Sequence, residues 1–299
     1  MKNGLWRRIT FGILTLLIGL SSSPAWSQVE TDRSSSFGDS LTDNEFLYQI
    51  FGTDPAIYGA DPFEAMFNKA AGTRDQLANY AVLGSTSADV LLQIDAYAAA
   101  RKAKAIERST LVSIQAGAND FLDPENLMFL AAAAPGDSHQ ADEIVNRIRQ
   151  NLKRSVQSIK KVDKAQVIVW TVPDVTLTPY ALYIGLGGVA AENVRLHIER
   201  LNHFIRGMGH RKEVAVLDIS SVLTAAIFSP PVIAGVPLLP PPYFGESFAI
   251  FADPLHPTAV SNGITANMLI IQANMTFDDL IPLYSEDELA DMAGLPTAP

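Results

Sequence analysis

Between residues 77 and 219, short apolar runs alternate with longer amphipathic ones, and this alternation constrains the fold more than any other feature of the chain. The runs 77–82 (LANYAV), 110–116 (TLVSIQA), 165–172 (AQVIVWTV) and 213–219 (EVAVLDI) are mostly continuous and rich in β-branched residues. Parallel strands buried on both faces need such runs. The stretches 87–106, 141–162 and 190–208, and a last one over about 258–273, carry apolar residues at helical spacing. Strands and helices in alternation predict an α/β unit on a mainly parallel sheet. The Pro-rich segment 228–245 is expected to form a long irregular connection, and the acidic end, SEDELADMAGLPTAP, to pack loosely or fray. There is no internal repeat.

The first 27 residues fall outside that pattern. A basic start (MKNGLWRR), a short apolar run (ITFGILTLLIGL) and an Ala-x-Ser ending at Ser27 have the shape of a signal peptide. The expectation is residues 1–27 as signal peptide, cleavage after Ser27, and one exported domain over 28–299, secreted or periplasmic. The competing reading is an uncleaved N-terminal anchor. No later stretch approaches the continuous apolar length of a membrane helix. The remaining chain is long enough for one sizeable core, with 48% of the 299 residues hydrophobic.

Two function classes are excluded by composition. With no cysteine, neither thiol catalysis nor a Cys-ligated metal is available, and an oxidising compartment brings no disulfide. Without Lys2, Arg7 and Arg8 the 22 basic residues become 19 against 32 acidic ones, a net charge of −13. So acidic a surface disfavours nucleic acid or an anionic membrane as the main partner.

Gly-Asp-Ser occurs twice, at 38–40 in SSSFGDSLTDNEF and at 136–138 in PGDSHQA. The tripeptide is ordinary turn chemistry, so context must separate the copies. Ser138 follows an Ala run and a Pro and leads into a helical pattern, which makes it a loop residue or an N-cap. Ser40 instead stands before the first helix of the strand–helix alternation. That is the carboxyl end of a first strand, where open α/β sheets place their ligands.

Three further features fall at strand ends. In QAGANDF, Asn119 follows the run 110–116; in NYAVLGSTS, Gly84 follows 77–82. Each alone is compatible with a simple turn. In ADPLHP, Asp253 precedes His256 by three residues, the only such Asp–His spacing in the chain. Within one turn the carboxylate can support an imidazole that faces Ser40.

Together FGDSLTD, the Gly84 block, GAND and DPLH resemble, in order and rough spacing, the four blocks of the GDSL, or SGNH, hydrolases. The resemblance spans residues 37–257. It implies a three-layer α/β/α sandwich with a mainly parallel, flavodoxin-like sheet, and a serine esterase or lipase acting without cofactor or metal. It also implies Ser40 as nucleophile, His256 as base, Asp253 as its partner, and Ser40, Gly84 and Asn119 as oxyanion donors. The substrate class is a small-molecule or lipid carboxylic ester. A polysaccharide O-acetyl esterase is the alternative within enzymes, and a catalytically silent binding module the alternative outside them. Departures from the family pattern are a polar segment before the first block, Glu45 after Asn44 where many secreted members carry Gly, and Leu83 in place of a common Gly. The first predicts a short or poorly buried first strand; the others predict a changed pocket shape.

Other candidates read as structural. Ser247 in GESFA lacks a strand leading in, so it is no nucleophile elbow. His197, His203 and His210 do not form a zincin motif. Asp39, Asp43, Asp120 and Asp123 suit helix caps and loops, and the basic residues of 141–162 a solvated face. The apolar residues of 228–245, Leu238 and Leu239 among them, are expected either to cover the core as a rigid crossover or to wall the acyl site.

Overall fold

The computed structural model describes residues 33–43, 47–52, 54–70, 77–211, 213–277 and 280–296. The signal-peptide segment and the Asn44–Glu45 departure lie outside them.

Five parallel strands form the central sheet in the order β2-β1-β3-β4-β5. They are β1 (Ser34–Phe37), β2 (Leu77–Asn79), β3 (Leu111–Ile114), β4 (Gln166–Trp170) and β5 (Val214–Leu217). The helices are α1 (Leu47–Phe51), α2 (Pro55–Tyr58), α3 (Pro62–Lys69), α4 (Ser87–Lys102), α5 (Ala118–Leu122), α6 (Pro124–Ala132), α7 (His139–Val162), α8 (Pro179–Tyr183), α9 (Gly188–Met208), α10 (Ile219–Phe228), α11 (Ala259–Phe277) and α12 (Glu286–Met292). None among the described residues is long and apolar enough to cross a membrane.

Alternation along the strands builds the three layers. In β4, Val167 and Val169 join the core under α4, α7 and α9, while Ile168 and Trp170 join the core under α3 and α11. Successive strand side chains point to opposite faces, so a continuously apolar strand serves two cores at once. α7 answers with Ile144, Val145, Ile148, Leu152, Val156 and Ile159, all buried on one stripe. Helices thus cover both faces of the parallel sheet, as the sequence predicts.

The first strand is short, as expected, but it is not poorly buried. Ser34, Ser35 and Ser36 are at most 2% exposed, because β1 sits inside the sheet and pairs with both β2 and β3. Small side chains fit under the flanking layers, and Ser35 Oγ meets Ser109 Oγ at 2.7 Å. Position in the sheet, which the local sequence does not encode, overrides polarity here.

The acidic end is a second correction. Ser285 and Glu288 form a reciprocal capping box that starts α12, and Lys69 Nζ lies 2.8 Å from Glu288 Oε1. Leu289, Ala290 and Ala293 are buried with Ile233, Leu238, Ile250 and Val260. The segment is a docked helix because its few apolar residues share one face.

The connection after β5 is also more regular than expected. Phe228 ends α10, and Val232–Ile233 pairs antiparallel with Val236–Pro237 across Ala234 and Gly235.

Candidate active site

The strand order reverses between β1 and β3, and the residues that follow those two strands face a common crevice. Open α/β sheets bind ligands at this point. Ser40 follows β1 in a tight turn, in which Thr42 N and Asp43 N donate to Asp39 O at 3.1 and 2.9 Å. Asp39 Oδ1 accepts from Leu41 N at 3.0 Å. Gly38 is required at the bend: a Cβ there would stand 2.2 Å from Thr42 Oγ1 and 2.8 Å from Gln115 Oε1.

Two glutamines clamp this turn. Gln115 Oε1 accepts from Asp39 N at 3.0 Å, and its Nε2 donates to Asp39 Oδ2 at 2.9 Å. Gln93 does the same for Gly38, accepting from its N at 3.1 Å and donating to its O at 3.0 Å. Neither glutamine was singled out in the sequence. Gln115 stands at the end of a predicted strand run, next to the GAND block; Gln93, on a helix, offered no signal.

Asp253 and His256 come from the loop before α11. Asp253 Oδ1 accepts from Leu255 N and His256 N at 2.7 and 2.9 Å, which closes the turn DPLH on its own carboxylate. Oδ2 stands 2.7 Å from His256 Nδ1, and His256 Nε2 stands 2.7 Å from Ser40 Oγ. With Nδ1 donating to the carboxylate, Nε2 carries the lone pair that can accept the serine proton. All three side chains are buried. A fourth group, unforeseen in the sequence, is Tyr58 at the end of α2, whose hydroxyl donates to Asp253 Oδ2 at 2.9 Å.

The structure brings Gly84 and Asn119 to the same cavity as Ser40 and His256. Gly84 has φ of +77°, a left-handed conformation that glycine adopts at no steric cost. Asn119 Nδ2 donates to Ser85 O at 3.0 Å, which fixes the amide and leaves its second hydrogen for a ligand. Leu83, which stands where a Gly is common, also lines the cavity.

Burial sets the electrostatics. It pushes Asp39 up to about 6 despite its hydrogen bonds from Leu41 and Gln115. It raises Asp120 as well, against the hydrogen bonds from Ser87. Asp253 goes the other way: burial alone would raise it, but the hydrogen bond and charge of His256 and the two turn amides hold it below the usual carboxylate range. Asp253 is therefore an anion at neutral pH, the form that supports an imidazolium.

The remaining predicted residues lie elsewhere. Ser138 caps α7 by accepting from Ala141 N at 3.3 Å, and Ser247 Oγ donates to Ala293 O at 2.6 Å. Asp123 caps α6. His197 is buried with Nε2 2.9 Å from Ala133 O. Among the described residues no cluster of His and acidic side chains has the geometry to hold a metal.

The cavity beside Ser40 has a volume of about 240 Å³ and mostly apolar walls, to which Leu238 contributes. Leu239 does not line it, and Phe228, Val232, Tyr243 and Phe244 are exposed. The loop after β5 thus supplies part of the expected wall, and α10 supplies more.

The family model of the GDSL-like lipases and acylhydrolases matches residues 36–269. Among solved structures, the lipase Lip_vut3 from a goat rumen metagenome is 14% identical with a TM-score of 0.55, covering 80% of this chain and 96% of its own. A member of the lipolytic G-D-S-L family from Veillonella parvula is 13% identical with a TM-score of 0.50, covering 83% of this chain and 99% of its own. At such identities the likeness is one of fold. No curated protein matches the sequence.

Proposed function

Since the chain belongs to the GDSL-like lipase/acylhydrolase family and is a carboxylic ester hydrolase, we propose that it works through an acyl-enzyme on Ser40, with His256 as base and Asp253 as its support. The observation that carries this reading is the unbroken hydrogen-bond chain Asp253–His256–Ser40 at 2.7 Å per link. His256 Nε2 takes the Ser40 proton as Oγ attacks the ester carbonyl carbon. The resulting oxyanion is met by the backbone N–H groups of Ser40 and Gly84 and by Asn119 Nδ2. A single donor of this kind is worth about 3–4 kcal/mol to the transition state. The tetrahedral species collapses by breaking the bond to the alkoxy oxygen, and His256 returns the proton to the departing alcohol. Water, deprotonated by His256, then attacks the acyl-enzyme; the acid leaves, and the proton returns to Ser40.

The apolar walls of the cavity favour an acyl chain over the acetyl group of a hydrated glycan. The signal-like segment 1–27 supports export, which makes extracellular or periplasmic esters the substrate pool. Purified protein is expected to cleave short nitrophenyl esters. Ser40→Ala should abolish turnover with an unchanged melting temperature, and Ser138→Ala should leave it intact. Equal loss in both variants, or turnover surviving in Ser40→Ala, would reject the assignment.

A further inference from the structure

α10 carries an apolar stripe that no protein core fully buries. Ile219, Val222, Leu223 and Ala226 stand at i, i+3, i+4 and i+7, the spacing of a core-facing helix. Each is only partly buried, and all four line the cavity that opens at Ser40. Ile264 of α11 and Leu238 stand in its wall as well. A stripe of this kind is complete only with an apolar partner, because partner atoms absent on one side forfeit dispersion and leave hydrocarbon exposed to water.

The path of the cavity follows the sheet. Its walls run from Ser40 after β1, past Ala118 after β3 and Trp170 and Pro173 at the end of β4, to Ile219 after β5. β1 and β5 are three strand spacings apart, or about 14 Å at roughly 4.8 Å each. The shape is therefore an elongated slot that begins at the candidate nucleophile.

We propose that this slot is the acyl-chain channel of the enzyme, that α10 is its specificity-determining wall, and that it takes linear acyl chains well beyond acetyl. The proposal rests on Ser40 being the nucleophile, since that residue sets where the chain begins. Each methylene buried along the slot should raise kcat/KM by about fourfold. The gain should stop where the chain has passed Ile219 and the apolar wall is used up. Val222 is the residue to alter, because it lines the slot and belongs to none of the buried core clusters.

The test uses the full chain and a series of nitrophenyl esters from acetate to palmitate. Wild type should show kcat/KM rising from acetate to at least octanoate. Val222→Trp, which fills the slot, should lower the ratio of octanoate to acetate turnover by at least about 30-fold. Val222→Ser should flatten the rise per methylene. A second readout needs no catalysis: free octanoate should raise the melting temperature of Ser40→Ala, and this shift should vanish in the Ser40→Ala, Val222→Trp double variant. An acetate-preferring wild type, a parallel loss across the series in both Val222 variants, or no octanoate shift would overturn the channel. Turnover retained in Ser40→Ala would instead overturn the nucleophile assignment, whatever octanoate does to the melting temperature.

Discussion

Tyr58 and His256 donate to the same oxygen of Asp253: the phenol reaches Oδ2 at 2.9 Å and the imidazole Nδ1 at 2.7 Å. The carboxylate is therefore shared between a neutral donor and the proposed base. Tyr58→Phe leaves the ring in place and concentrates the charge of Oδ2 on His256. The imidazolium is then better stabilised, so the acid limb of the kcat/KM profile is expected to move to higher pH. Loss of one buried hydrogen bond also costs about 1 kcal/mol of stability. A stability loss with an unmoved pH profile would make Tyr58 purely structural.

Asn119 is held by Ser85 O with one amide hydrogen. Asn119→Ala is expected to lower kcat by about 100-fold or more with a smaller change in KM, as for removal of a donor that acts mainly in the transition state. Asn119→Asp should be as poor, since a carboxylate repels the developing negative charge. A main effect on KM would make the residue a ground-state contact.

Stability should depend on pH through Asp39. Burial raises this group from 3.8 to about 6, so the folded chain holds that proton more tightly than the unfolded chain. The contribution is full below about pH 4 and is lost as pH rises through about 6, a change of at most roughly 3 kcal/mol. Asp61, raised by burial to about 7, slopes the same way over a wider range. Urea midpoints measured from pH 4 to 8 should show a shallower decline in Asp39→Asn than in wild type. Parallel curves would refute the shift.

The acidic end should matter to the fold. Leu289 is 8% exposed and packs with Ile233, Leu238 and Val260. Leu289→Ala is expected to cost about 2–4 kcal/mol in chemical denaturation. A frayed tail would show no effect.

As the proposed base, His256 would have to be neutral to accept the Ser40 proton, so kcat/KM is expected to fall on the acid side through a single protonation. In His256→Gln the residual rate should lose that limb. A profile of unchanged shape in the variant would take the base role away from this residue.

What the sequence determined by itself was periodicity and chemistry at the ends of elements. The apolar runs at 165–172 and 213–219 became strands because burial on both faces leaves little else they can be, and the helical stripe of 141–162 became α7 for the same reason. Ser40, Gly84, Asn119, Asp253 and His256 could be named because the four short blocks that hold them resemble, in order and rough spacing, those of the GDSL hydrolases. Asp253 and His256 are moreover close enough in sequence to meet within one turn. The rest waited for tertiary structure. Nothing local makes SSSF a buried inner strand; its two neighbours in the sheet do. Tyr58 finds Asp253 across 195 residues, and Gln93 reaches Gly38 from a helix 55 residues away. The stripe on α10 has the spacing of any core-facing helix. Only the packing of α11 and the Leu238 loop decides that it faces a slot, because periodicity says which side of a helix is apolar but not what will stand against it.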